Sequence, residues 1–282
     1  MSYIDKIQHC NQLNIDQYLP FKVQTERYGW IHQEFAEHLK SWTSVFQVND
    51  ESVTFNPEIS SYQTRSDAIA PVLTELHQQK IIDTWVGELY PVNHQYGQQG
   101  VMEIERAAAL YFGTQCYGVH INGLVKKYDG IYVWLAVRAK DKPFFPGQLD
   151  QIVAGGQPVG ISLMDNVIKE SQEEANIPRV LASQAQARGY LKYKMETPRG
   201  IESSTLFNYD CWLPEDFVPE NTDGEVDSFQ LVSMQELAEL TEHTDDFKDN
   251  CNLTNIDLLI RSGLIDEKHT DYQEITRLLY TD

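Results

Sequence analysis

No run of about eighteen apolar residues occurs in the 282-residue chain, so no membrane-spanning helix is expected. The opening segment, MSYIDKIQHCNQLNIDQYLP, mixes charged and apolar side chains and lacks the apolar stretch of a secretory signal. Cysteine is scarce. Cys10, Cys116, Cys211 and Cys251 lie far apart, with no CxxC pair and no histidine at zinc-ligand spacing. That argues against a disulfide framework or a zinc site and makes a reducing cytoplasm the expected location. Basic residues are few: 22 Lys and Arg stand against 42 Asp and Glu, a formal net charge of −20. So acidic a surface repels a nucleic-acid backbone, and neither DNA nor RNA is an expected partner. A phosphorylated small molecule remains an acceptable partner, because a bound metal ion reverses the field locally. The sequence does not fix the oligomeric state.

What is present is ordinary globular material, 41% apolar and 11% aromatic, long enough for one large domain or two of average size. Residues 3–13 read as a helix, and apolar residues at three- and four-residue spacing predict helices over 33–39 and 68–79. Residues 81–91 read as a strand, and 104–112 as a short helix stopped by Gly113. After Gly113 the pattern changes to β-rich runs over 117–126 and 131–140, joined through Asp129-Gly130, a hairpin signal. A short strand over 151–154, a Gly-Gly turn and a helix over 162–175 follow. Strands are expected at 187–195, 205–213 and 228–232, and helices at 233–240 and 255–262. The order predicts an α/β protein: a smaller α/β domain over residues 1–115, then an α/β/α sandwich with a mixed sheet over 116–282.

The segment with chemistry in it is GGQPVGISLMDNVIKESQEEANI, residues 155–177. Ser162 with Asp165 reads as a helix cap. Leu163, Val167, Ser171 and Ala175 form a stripe that packs on the sheet. Glu170, Glu173 and Glu174 fall together on another arc, in the last turns, where they repel one another and the helix dipole disfavours anions. A stretch that breaks both rules asks for a cation, and oxygen ligands suit Mg2+ or Mn2+. The Gly-Gly turn lets backbone, the Gly155 carbonyl included, approach the same ion.

The segment resembles the Nudix signature. Lys169-Glu170 stands for its Arg-Glu, Glu173-Glu174 for its Glu-Glu, Asn176 for its late glycine and Ile177 for its last aliphatic residue. It departs in a loop one residue shorter, in Ile161 for the first glutamate and in Ser171 for an aliphatic residue. AGGQPVGIS with NVIKESQEEANIP, together with stretches at Glu105-Arg106-Ala107-Ala108, Tyr117–Gly123 (YGVHING), Phe145–Asp150 (FPGQLD), Thr205–Asp210 (TLFNYD), Asp223–Val226 (DGEV) and Asn250-Cys251, is similar to the Nudix enzymes related to the N-terminal part of fungal thiamine pyrophosphokinase. This group carries its own extra N-terminal domain.

The resemblance implies a Mg2+-dependent hydrolase that cleaves a diphosphate linkage, with Glu170, Glu173 and Glu174 holding metal. The implied substrates are thiamine diphosphate-like compounds, oxidised or damaged forms favoured, cut to monophosphate plus phosphate. Glu225, just before a predicted strand, is either a further catalytic carboxylate or a solvated turn residue. Arg138, Lys140 and Lys142 either meet phosphate oxygens or line a solvated loop edge. His120 and Asn122 share one face of the first strand of the second half, as substrate contacts or as hydrogen-bonded core groups. Two other functions stay open: hydrolysis of a nucleoside diphosphate derivative such as a nucleotide sugar, and a catalytically silent Nudix-fold binding module. Three intact, mutually repelling carboxylates argue against the silent module.

Overall fold

Strands with apolar residues on both faces need cover on both sides. The C-terminal half of the chain is built on that requirement in the computed structural model, which describes residues 2–141 and 144–280. Its sheet has seven strands: β7 (Gln115–Lys127), β8 (Gly130–Arg138), β9 (Leu149–Gln151), β10 (Val153–Gly156), β11 (Gln186–Thr197), β12 (Gly200–Leu213) and β13 (Val226–Ser233). The order is β11-β12-β7-β8-β13, with β10 paired to β7 and β9 to β8. β12 runs parallel to β7 while the other pairs are antiparallel, so the sheet is mixed. Lys127 pairs with Gly130 across the expected Asp-Gly turn.

Alternation along β7 sends Val119 and Ile121 to one core, under α5 (Leu163–Ala175) and α6 (Arg179–Ala182). It sends Leu124 to the other, under α7 (Met234–His243) and α8 (Cys251–Arg261). The result is the α/β/α sandwich of the sequence reading. Two further helices join that second core: α9 (Tyr272–Tyr280) and α1 (Tyr3–His9) from the opposite end of the chain. Tyr3, Ile7 and Cys10 are buried there against C-terminal residues.

The N-terminal region is an additional α/β unit. β1 (Tyr18–Val23), β2 (Glu26–His32), β3 (Phe46–Val48) and β4 (Val53–Phe55) form a separate sheet in the order β2-β1-β4-β3. With α2 (Gln33–Leu39), α3 (Tyr62–Gln78), the antiparallel pair β5 (Leu89–Val92) and β6 (Met102–Glu105), and α4 (Ala109–Phe112), it has its own core from Leu19 to Phe112.

The structure corrects several element bounds. The strand expected over 81–91 is confined to Leu89–Val92. The Val86 and Gly87 N–H groups instead donate to Glu105 Oε1 (2.9 and 3.2 Å), so a side chain takes the place of a ladder partner. The helix expected over 104–112 begins as β6, passes through a 3-10 turn at Arg106–Ala108 and becomes α4, which Gly113 ends at φ 57°. The helix expected over 3–13 stops at His9, and the one expected over 68–79 begins at Tyr62, capped by Ser61.

Candidate active site

The segment 155–177 folds as its local chemistry dictates. Ser162 caps α5, accepting from the Asp165 N–H and donating to Asp165 Oδ2 (2.6 Å). Asn176 ends it in the left-handed region, φ 51°. Val167, Ser171 and Ala175 of the expected stripe are fully buried. Asn166, one turn into the helix, donates to the Gly156 carbonyl (2.8 Å) and ties the turn to the helix.

The helix thereby sets Glu170 against Gly155. A Cβ on Gly155 would lie 2.8 Å from Glu170 Oε1, so only glycine allows this approach. Glu174 Oε2 accepts from the Ala154 N–H (2.9 Å), its one hydrogen bond among the described residues. Both carboxylates are buried, Glu170 8% and Glu174 7% exposed. Burial raises the Glu170 carboxyl above its usual range, offset in part by Lys169 and Arg106. Burial, then the charge of Glu170, pushes Glu174 well above the usual range, and Asp150 and Glu225 add to it. Glu173 is half-exposed. Lys169 bridges Glu170 (3.1 Å) and Glu173 (2.9 Å) but does not reach Glu174. Two adjacent buried carboxylates with one backbone donor and one shared lysine carry more negative charge than their partners offset. Such an oxygen-only set fits a hard divalent cation.

The structure places the other expected residues as follows. Glu225 is exposed in the turn before β13, near enough for its charge to act on Glu174. Its backbone carbonyl accepts from the Ala139 N–H (2.9 Å). Arg138 turns inward, pairing with Asp150 (2.8 Å) and donating to the Phe144 and Phe145 carbonyls. Lys140 is exposed in the turn after β8, and Lys142 lies outside the described residues. His120 is buried, its Nδ1 2.6 Å from Gln151 Oε1, and burial lowers its pKa to about 4, so it is neutral. Asn122 is buried and donates to Asp210 (3.0 Å). His120 and Asn122 thus belong to a polar layer between the sheet and α8, apart from the glutamate cluster's face of β7.

A second group of donor atoms sits in that layer. His120, Asp150 and Cys251 bring ligand-type atoms within 4.8 Å of one another. The Cys251 thiol donates to Asp150 Oδ1 (2.9 Å), while Lys248 (3.7 Å) and Arg138 hold Oδ2. Two cations already surround the single carboxylate, and thiol and imidazole are poor ligands for Mg2+.

Along 98% of its length the chain is 37% identical to Nudix hydrolase 24, chloroplastic, of Arabidopsis thaliana, covering 77% of that protein. The chain belongs to the Nudix hydrolase family. Nudix hydrolase 20, chloroplastic, of the same plant is likewise 37% identical over 98% of the chain and 77% of its own length. Residues 2–116 match the family described as Domain of unknown function (DUF4743). Among solved structures, a MutT/nudix family protein from Enterococcus faecalis is 15% identical, covering 82% of this chain and 81% of its own, with a TM-score of 0.41. The chain is a diphosphate hydrolase by family, and Nudix enzymes generally use a divalent metal.

Three groups near this hydrolase's site escaped the sequence reading of roles. Arg106 and Tyr90 come from the N-terminal half and cover Gly156. No local spacing announces them, since their approach depends on how the two halves pack. Asn166 is the third. A polar residue on the buried side of an amphipathic helix was the available signal.

Proposed function

We propose that this Nudix hydrolase holds Mg2+, or Mn2+, with Glu170, Glu173, Glu174 and the Gly155 carbonyl, and cleaves thiamine diphosphate-like compounds to the monophosphate and phosphate. Oxidised or damaged forms are the favoured substrates. The observation that carries the metal-dependent reading is the pair of buried carboxylates, Glu170 and Glu174, with fewer donors than their charge requires. A divalent ion bound there would neutralise diphosphate oxygens and supply Lewis acidity.

The chain's own residues have distinct parts. Asn166 and Gly155 fix the carboxylates against the turn. Glu225, exposed in the turn before β13, takes the proton of the attacking water. Lys140, exposed in the turn after β8, and Lys142 guide phosphate.

The substrate class rests on the stretches shared with the thiamine pyrophosphokinase-related group. A protein of net charge −20 attracts a cationic thiazolium without discrimination. Preference for a damaged form then comes from the pocket, through a hydrogen bond to the added oxygen. The cytoplasm is the proposed location, on the strength of four free cysteines. The two plant relatives are themselves named chloroplastic. Among the described residues no helix is long and apolar enough to cross a membrane.

Steady-state phosphate release from thiamine diphosphate, its oxo and oxy forms, and a set of nucleotide sugars tests the substrate. The expected result is higher kcat/KM for the oxo and oxy forms than for thiamine diphosphate. Equal efficiency, or cleavage of nucleotide sugars alone, overturns the substrate class and leaves the family untouched.

A further inference from the structure

Gly155 and Gly156 end β10, and their Cα–H groups point to opposite faces of the strand. Glu170 covers the first. Arg106 covers the second: a Cβ on Gly156 would lie 2.7 Å from Arg106 Cζ and 2.9 Å from Nη1, and would overlap the Tyr90 hydroxyl. Arg106 therefore reaches the metal-binding turn from the N-terminal half, carried on the 3-10 turn that follows β6. Its Nη1 donates to Glu88 Oε2 (2.8 Å), and its guanidinium lies 5.6 Å from the centre of the Tyr90 ring. About a third of the side chain, 36%, stays exposed.

The pair with Glu88 uses one of the five N–H donors of the guanidinium, and no other hydrogen bond to it occurs among the described residues. The other cations around the turn are engaged. Arg138 is paired with Asp150, and Lys169 with Glu170 and Glu173. A diphosphate approaching so acidic a protein needs a cation at the turn itself, and a planar guanidinium matches phosphate oxygens two at a time.

We propose that Arg106 binds the diphosphate of the substrate, so that a residue of the N-terminal half completes the active site. This rests on the hydrolase reading above. The Glu88 pair and the Tyr90 ring hold the guanidinium in place over Gly156, with its unused donors available to phosphate. The competing explanation makes Arg106 a clamp that joins the two halves. A second link between the halves, Tyr117 OH donating to Asn93 Oδ1 (2.7 Å), provides the control.

The test compares Arg106→Gln, Arg106→Lys and Tyr117→Phe with the parent. Two quantities are read: KM and kcat on a hydrolysed diphosphate, and calorimetric binding of methylenediphosphonate in excess Mg2+. Arg106→Gln should raise KM about tenfold or more, weaken methylenediphosphonate in proportion and change kcat less, since a charge-assisted pair is lost. Arg106→Lys should restore part of both. Tyr117→Phe should leave both within about threefold, a clamp contact being worth little to ligand affinity. Parent-like methylenediphosphonate binding in both Arg106 variants overturns the proposal, as does an equal loss in Tyr117→Phe. If the parent hydrolyses no diphosphate yet binds methylenediphosphonate in an Arg106-dependent way, the substrate reading fails and the Arg106 assignment stands.

Discussion

Asp150 has two cations around one negative charge. Burial alone would raise its carboxyl, but Lys248, Arg138 and His120 together hold it down at about 2. The carboxylate is therefore ionised in the folded protein and contributes stability at every pH above the unfolded carboxyl range. That contribution is lost as pH falls from about 4 toward 2. Removing Arg138 leaves the buried carboxylate with one cation, Lys248, at the longer distance of 3.7 Å. Arg138→Met should destabilise the protein by about 3 kcal/mol, as breaking a buried pair does, with KM for the diphosphate little changed. Denaturant unfolding and steady-state kinetics check the two halves of that statement. A large KM effect with unchanged stability would return Arg138 to the phosphate.

Glu174 has the opposite sign. Its folded-state pKa is raised, so in the metal-free protein stability is greatest below the unfolded value of about 4.3 and declines as pH climbs through the folded one. Glu174→Gln removes that loss. The metal-free variant should melt higher than the parent at pH 7, and the gap should close at pH 4. The two cases show where sequence reading stops at this scale. Glutamates three and four apart on a helix are visible as a charged cluster. Whether an arginine on a strand faces phosphate or a carboxylate twelve positions on depends on the loop between, and Arg138 turns inward.

At the level of elements, the turn and helix over 155–177 were legible almost to the residue. Their determinants are local: a Ser162 cap, an Asn176 stop and a Gly-Gly pair. The short strands β3 and β4 and the Pro20-containing β1 were not, because three-residue strands carry no periodicity and proline counts against a strand. α1 was visible as a helix, but its docking on the far end of the chain was not. The close fit of β10 against α5 makes a prediction of its own. Gly155→Ala should cut turnover by about 100-fold, because the new methyl group displaces the Glu170 carboxylate. The fold should survive, since Glu170 is the side chain that yields. Circular dichroism with kinetics on the same preparation checks both, and an active Gly155→Ala would mean Glu170 need not lie against the turn.

Over the whole molecule, two sheets with separate cores are joined by more than a linker. Arg106, Tyr90 and the Asn93–Tyr117 bond cross at the end of β10, while α1 leaves the N-terminal half and packs with α7, α8 and α9. Ile7 is 1% exposed in that C-terminal core. Ile7→Ala should therefore cost about 3 kcal/mol of stability, within the usual range for such a truncation. Hydrogen exchange should show the loss in α8 and α9 rather than in the N-terminal sheet. Loss confined to β1–β4 would contradict the packing.

In the proposed function, Glu170 and Glu174 form a divalent-metal site that drives diphosphate cleavage. Phosphate release as a function of Mg2+ concentration, for the parent and for Glu174→Gln, tests it most directly. Without metal no turnover is expected, and the parent should show saturable activation. The variant's rate should fall by about 100-fold or more, since loss of a residue that merely supports a metal ligand already costs 10–100-fold. Metal-independent turnover, or a variant that follows the parent's Mg2+ curve, would contradict it.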